Sequence, residues 1–293
     1  MFVARHDADG LIDPADPVSL DHPLCRGMTA WWLAGVPNAT RGPYWRELAR
    51  NIKSGGAVLT NGPTWIGGRA KPGIPAAISF TGTTQRVMAG LTAHLFPTAT
   101  DCTVLVVRRK RDTTNRQSSA FGVNSSNAGE QVGVHLPWND NNVYWNFGGV
   151  TNNVSRLTVS GLTWDTNWHW WAFTVGGGGG MRCYLDGKLV GSNAATPSRV
   201  DAGGLWSPAN WGNNVAASDL ADHAETVVFD RALRTDEIEE WWQQSRAGHP
   251  DTLRRWRPKA YGFFGTQPAY DPSRFPRVPL PQPDRTPAAG VPY

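Results

Sequence analysis

The chain has 293 residues, of which 40% are apolar and 18% charged, enough to build a sizeable core and too apolar for a disordered chain. No stretch reaches the roughly 18 consecutive apolar residues that mark a membrane helix, so membrane insertion is not expected. The net charge of +4 is uneven: Arg246–Tyr293 holds eight Lys/Arg against three Asp, which leaves 20 basic and 21 acidic residues before it. A near-neutral domain with a basic tail does not suggest a nucleic-acid surface.

The 15 Trp and 32 Gly point to many short strands joined by tight turns. The N-terminal MFVARHDADGLIDPADP lacks the charged-then-apolar pattern of a secretory signal, and residues 1–27 read as an arm. Cys25, Cys102 and Cys183 are too few and too scattered for a disulfide framework or a zinc site, so free thiols and synthesis in a reducing cytoplasm are expected. The folded part begins with Gly27–Leu33. Short strands are predicted at Ala57–Thr60, ahead of an Asn-Gly turn, and at Ala77–Thr81 and Arg86–Ala89. Cys102–Val107 (CTVLVV) is a nearly continuous apolar run, as in a strand buried on both faces.

Alternation sharpens in the middle of the chain. Val143, Trp145 and Phe147 point one way, Tyr144 and Asn146 the other, and Leu157 and Val159 follow the same period. Trp168–Val175 (WHWWAFTV) is an aromatic strand. Gly176–Gly180 is a turn, since a strand follows it and not the helix that a phosphate cradle needs. In Met181–Asp186, Met181, Cys183 and Leu185 share one face, and Asp186-Gly187 turns the chain into Lys188–Gly191. Glu225–Phe229 is the last strand. A helix follows, with Thr235 as its N-cap, Asp236 and Glu237 in its first turn, and Ile238, Trp241 and Trp242 on one face; it ends near Arg246–Gly248. Ten of the 22 prolines lie between Pro250 and Pro292, which predicts an extended segment.

Taken in order, these stretches resemble the laminin-G/pentraxin/concanavalin A-like sandwich domains. WHWWAFTVGGGGGMRCYLDGKLVG is similar to that family's Trp-bearing strand and "YxDGxxV" hairpin. GAVLTNGPTW and ISFTGTTQRV resemble its "G-x-L-x-N-G-P-x-W" and "L-x-F-x-G" strands, and WGNN…ETVVFDRALRTDEI its closing strand and short helix. The resemblance runs from about Trp31 to Trp242. It implies an all-β, two-sheet antiparallel jelly-roll sandwich with one short C-terminal helix and extended terminal arms. The expected division is 1–27, an N-terminal arm; 28–248, the sandwich; and 249–293, a proline-rich basic arm. Acids that help some members bind calcium are partly replaced: Thr81 stands in "F-D-G", Thr84-Gln85-Arg86 in "D-D-Y", and Asp222–Glu225 before the last strand. No metal and no cofactor are expected.

Hydrolysis of a glycoside needs two carboxylates across the scissile bond, and the clustered E-x-D-x-x-E strand of related glucanases is missing. Glu130, Asp140 and Asp165 are isolated and read as solvated loop acids. Glu225 and Asp230 bracket the last strand on opposite faces, and His169 reads as a packing residue. No enzymatic activity is expected. Trp31-Trp32 and Trp170-Trp171 are adjacent pairs, so their rings point to opposite faces of a sheet. Pro137–Trp145 (PWNDNNVYW) combines rings that stack on sugars with groups that bond hydroxyls, making Trp138, Asn139, Asp140 and Tyr144 a candidate glycan site. In Trp206–Asn214 and around Trp145, the alternative is that Trp145, Trp206 and Trp211 fill the core while Asn and Asp form turns.

A cytoplasmically made sandwich with long arms suits a non-enzymatic structural protein of a virus particle, such as a bacteriophage head decoration or tail component. Its expected partners are other virion proteins, copies of itself and cell-surface glycans; a carbohydrate-binding adhesion module is the alternative. In the C-terminal arm, Trp256, Tyr261, Phe263, Phe264, Tyr270, Phe275 and Tyr293 are spaced as anchors for a partner's grooves. Arg254, Arg255, Arg257 and Lys259 would answer an acidic surface.

Overall fold

The computed structural model describes residues 22–34, 44–45, 47–49, 57–71, 74–81, 84–113, 118–124, 127–209 and 220–249. The candidate anchors of the C-terminal arm, Arg254 to Tyr293, lie outside the described residues, as do Trp211 and residues 1–21. In chain order the strands are β1 (Met28–Leu33), β2 (Tyr44–Trp45), β3 (Ala57–Thr60), β4 (Thr64–Lys71), β5 (Ile74–Ser79) and β6 (Arg86–Met88). After the one-turn helix α1 (Thr92–Leu95) come β7 (Cys102–Lys110), β8 (Ser119–Asn124), β9 (Val132–His135), β10 (Val143–Phe147) and β11 (Arg156–Val159). The last strands are β12 (His169–Val175), β13 (Met181–Leu185), β14 (Lys188–Asn193), β15 (Leu205–Ser207) and β16 (Ala221–Phe229), followed by helix α2 (Thr235–Arg246).

The strands form a jelly-roll-like sandwich. The first sheet runs β14-β13-β12-β7-β16-β5-β4, with β1 added beside β16. One edge of β16 pairs with β7 along its length; the other is shared end to end, Asp222 and His223 with β5 and Glu225–Phe229 with β1. The second layer runs β11-β10-β9-β8-β15 and continues into β6-β3-β2. Its two parts are stitched at Trp206, whose N–H donates to Gly90 O at 3.1 Å and whose C=O accepts from Ala89 N–H at 2.8 Å.

Period-2 patterning decides which side chains meet between the layers. Val143, Trp145 and Phe147 face inward with Leu157, Val159, Met181 and Cys183, and pack on Val104, Val106, Phe121 and Phe173. Trp32, Trp45, Trp145 and Trp206 are 0% exposed. Trp145 also ties the layers through an indole N–H bond to Thr174 O at 3.2 Å. Tyr184 faces the opposite way from Met181 and Cys183, into a second cluster. The β13–β14 turn has Asp186 at φ 49° and Gly187 at φ 79°, the left-handed pair that a two-residue hairpin of this twist requires.

Helix α2 covers the outer face of the first sheet. Ile238 and Trp241 pack on Trp31, Leu105, Val227 and Phe229, which is why β7 is apolar on both faces. The adjacent tryptophan pairs divide as their strand positions require: Trp32 and Trp171 lie between the sheets, while Trp31 and Trp170 lie under α2. The helix begins one residue earlier than Thr235 suggested, with Arg234 as N-cap, because Glu237 Oε2 accepts the Arg234 N–H at 2.9 Å. Beyond Gly248 (φ 84°) the chain turns back and buries His249 against Trp31 and Trp241, ring centres 4.9 Å from each. Packing also reaches upstream of β1, where Leu24 and Cys25 are buried within the 3-10 turn Pro23–Cys25.

Cys25, Cys102 and Cys183 are free and buried, and burial pushes all three thiols up, that of Cys25 to about 12. Among the described residues no helix is long and apolar enough to cross a membrane.

Candidate functional site

The end of the sandwich where β9 finishes, β10 and β12 begin and β7 runs out gathers polar and aromatic side chains. The β9–β10 connection, Leu136–Asn142, stands over this end and is held from three sides. Its Leu136–Pro137 peptide is cis. Leu136 O accepts from Arg108 Nη1 at 2.7 Å, Pro137 O from Ser118 N–H at 2.9 Å, and Asn141 O from Trp164 Nε1 at 3.1 Å. The loop closes on itself through Trp138 N–H to Asn142 O at 2.9 Å, with Asn141 at φ 66°.

Trp138, Asp140 and Tyr144 come together on this loop. The half-buried ring of Trp138 lies 4.1 Å from the His135 ring and meets Tyr144 edge-on at 6.4 Å. Tyr144 hydroxyl donates to Asp140 Oδ2. Asp140 also accepts from Asn142 N–H and Nδ2, each at 3.0 Å. Slight burial pulls the Asp140 carboxyl up, but the Tyr144 and Asn142 bonds outweigh it and hold the group below the usual carboxylate range. The same bond from Tyr144 raises its phenol. Asn139 is exposed at the loop tip. His135 is buried with Nδ1 2.8 Å from Ser119 Oγ; burial first, and the Arg156 charge second, lower its pKa to about 3, so it stays neutral in physiological buffers.

Sequence reasoning missed Arg156, which lies on the outer face of β11. Its guanidinium sits 4.7 Å above the Tyr144 ring, and its Nε donates to Asn146 Oδ1 at 2.7 Å. Only the antiparallel register that sets Asn146 against Arg156 shows this.

Beside the loop, Arg109, Lys110, Leu136, Trp164, Asp165 and His169 line a shallow cleft. His169 is a correction to the sequence reading. It is not a packing residue: its side chain is 27% exposed, with Nδ1 2.8 Å from Asp186 and Nε2 3.0 Å from Asp165. The Asp186 bond, opposed by burial and helped by Asp165, raises its pKa. Arg109 pairs with Asp222 at 2.7 Å and lies over the Trp168 ring.

The other acids differ from expectation too. Glu130 is not solvated: it is 0% exposed and accepts from Thr92 Oγ1 at 2.9 Å and Gly204 N–H at 2.7 Å. Glu225 is 2% exposed beneath α2. Where calcium-binding relatives carry acids, Thr81 N–H donates to the neutral Gln85 side chain at 2.6 Å, and Gln85 Nε2 donates to Gly62 O. The side chain there is thus a neutral amide already committed to the backbone, where a calcium-binding relative offers a carboxylate.

A family model described as the concanavalin A-like lectin/glucanases superfamily (Laminin_G_3) matches residues 81–239, more than half the chain. The chain belongs to this superfamily. No curated protein sequence matches it. Among solved structures, the binding domain of Paraclostridial Mosquitocidal Protein 1 is similar with a TM-score of 0.55 and 13% identity, covering 75% of this chain and 52% of that one. Trypanosoma rangeli sialidase in complex with sialic acid is similar with a TM-score of 0.53 and 13% identity, covering 75% of this chain and 33% of the sialidase. Botulinum neurotoxin type C, whose cell entry depends on interaction with two ganglioside molecules, gives 0.52 and 11%, covering 75% and 52%. The superfamily member thus spans about a third of the sialidase chain and about half of each toxin chain. At these identities the likeness concerns the fold.

Proposed function

We propose that this superfamily member is a carbohydrate-binding module whose contact surface is the Trp138–Tyr144 loop. The observation that carries the reading is the convergence of Trp138, Asp140 and Tyr144 at the end of the sandwich. A sugar offers apolar C–H faces to rings and hydroxyls to carboxylates and amides, and this loop presents both kinds of partner, already ordered by Asn142. Two solved structures of the same fold, a toxin's binding domain and a neurotoxin whose cell entry depends on interaction with gangliosides, support the reading. Asp140 is engaged by Tyr144 and Asn142, Asp165 and Asp186 by His169, and Glu130 and Glu225 are buried, which favours binding without hydrolysis. Trp138→Ala should weaken binding of the recognised oligosaccharide about fivefold or more, the equivalent of losing one aromatic contact of about 1 kcal/mol. Titration calorimetry reads this directly, and an unchanged affinity would move the site elsewhere.

A second role draws on the sequence beyond His249, with seven aromatic residues and ten prolines in a basic tail. Such a segment suits an arm that docks onto neighbours, and we place the module on a virus particle, assembled with copies of itself and other virion proteins after synthesis in the host cytoplasm. A chain ending after His249 should keep a cooperative β-rich fold and fail to enter the particle. Normal incorporation of the truncated chain would contradict the docking role.

A further inference from the structure

The Trp138–Tyr144 site is bordered by a cation whose terminal donors are unused. Arg156 is fixed twice: its Nε donates to Asn146 Oδ1 at 2.7 Å, and its plane lies over Tyr144 at 4.7 Å. Its Nη groups make no hydrogen bond to any described residue, and Asp140 bonds to Tyr144 and Asn142 instead. Next to it, Asn146 is 0% exposed and its Nδ2 has no acceptor. Buried amide donors are ordinarily bonded. A guanidinium held in place by its Nε and its ring contact, with its two Nη groups free of bonds to the described residues, is a preformed receptor for a planar oxyanion.

We propose that Arg156 makes this site selective for a saccharide bearing a carboxylate, taken by the two Nη groups while Trp138 meets the sugar ring. The inference rests on the glycan-binding reading above. Trp138 and Arg156 both lie against the Tyr144 ring, 6.4 Å and 4.7 Å from its centre, so one acidic saccharide reaches both. A single fork with Asp140 close by suits one carboxylate. A polysulfated chain would bring several charges against that acid, and the neutral His135 offers no second cation.

The test compares matched probes on the wild-type protein: trigalacturonate against its methyl ester, sialyllactose against lactose, and a heparin-derived oligosaccharide as the sulfated arm. The carboxylates should bind about tenfold or more tighter than their uncharged counterparts, the effect of losing a charge-assisted hydrogen-bond pair. Arg156→Lys keeps the charge but not the fork; it should abolish that preference, bringing the acid and its uncharged counterpart to within about threefold of each other. Equal binding of acid and ester, retained preference in Arg156→Lys, or tighter Arg156-dependent binding of the sulfated probe would each overturn the inference. The acid–ester comparison uses the unmodified protein, so it decides the matter even if the variant does not fold. Acidic and neutral probes that bind equally well would defeat this inference alone. Failure of every probe, acidic or neutral, would defeat the glycan-binding reading with it.

Discussion

Glu225→Ala is expected to lower the stability of the domain by about 3–5 kcal/mol, the cost of leaving two or more buried donors without their acceptor. Glu225 sits on the outer face of β16 and is where α2 and the chain after it are fastened to the sheet. Its Oε1 accepts from Trp31 Nε1 at 2.9 Å and lies 2.7 Å from His249 Nε2, with both side chains 2% exposed. Its Oε2 accepts from Ser245 Oγ, which in turn accepts from Trp170 Nε1 at 2.8 Å. Removing the carboxylate leaves the donors of Trp31 and Ser245 buried without their acceptor. Glu225→Gln keeps an acceptor for one of them and should cost less. Urea unfolding of the two variants checks both the size and the order; a loss under about 1 kcal/mol for Ala would show that α2 is not anchored through this residue.

Trp206→Ala should cost a similar amount, about 3–5 kcal/mol, for a different reason. The indole is 0% exposed and touches the rings of Trp32, Phe96 and Phe121 at 6.0, 5.4 and 5.5 Å. Its Nε1 donates to Val132 O at 3.0 Å, and its backbone joins the two parts of the second layer. The substitution opens a cavity at the seam, where the layer depends on packing from both sides. Trp206→Phe restores most of the apolar volume and should recover most of the loss, leaving the Val132 carbonyl short of a donor at about 1–3 kcal/mol. Equal losses for Ala and Phe would show that the hydrogen bond, and not the ring packing, holds the seam.

Much of this architecture was legible where the sequence period and the turn chemistry agree. The alternation in Val143–Phe147 set the inward face of β10 correctly, and Asp186-Gly187 fixed the last hairpin, because a left-handed turn and a pleated period leave few alternatives. Ser119–Asn124, Val132–His135 and Leu205–Ser207 were not read as strands. They are short and two of the three carry a glycine within, so their strand character comes from their neighbours. In the site, Trp138, Asp140 and Tyr144 are close in sequence and could be grouped by composition. Arg156 could not, since its partner Asn146 is supplied by strand pairing. His169 was misread for the same reason: its carboxylates come from the β11–β12 loop and from the β13–β14 turn, and the second is 17 residues away. Glu130 looked like a surface acid because a group that buries it, Gly204, lies 74 residues along the chain.

The most direct test of the central claim is a glycan array probed with the wild-type protein and with Trp138→Ala, each first shown by circular dichroism and thermal unfolding to hold the same fold. The account predicts that the wild-type protein retains a defined set of oligosaccharides and that Trp138→Ala loses them, with a drop of about fivefold or more in follow-up titration. A wild-type protein that binds no saccharide, or a folded Trp138→Ala that binds the same set equally well, would contradict it.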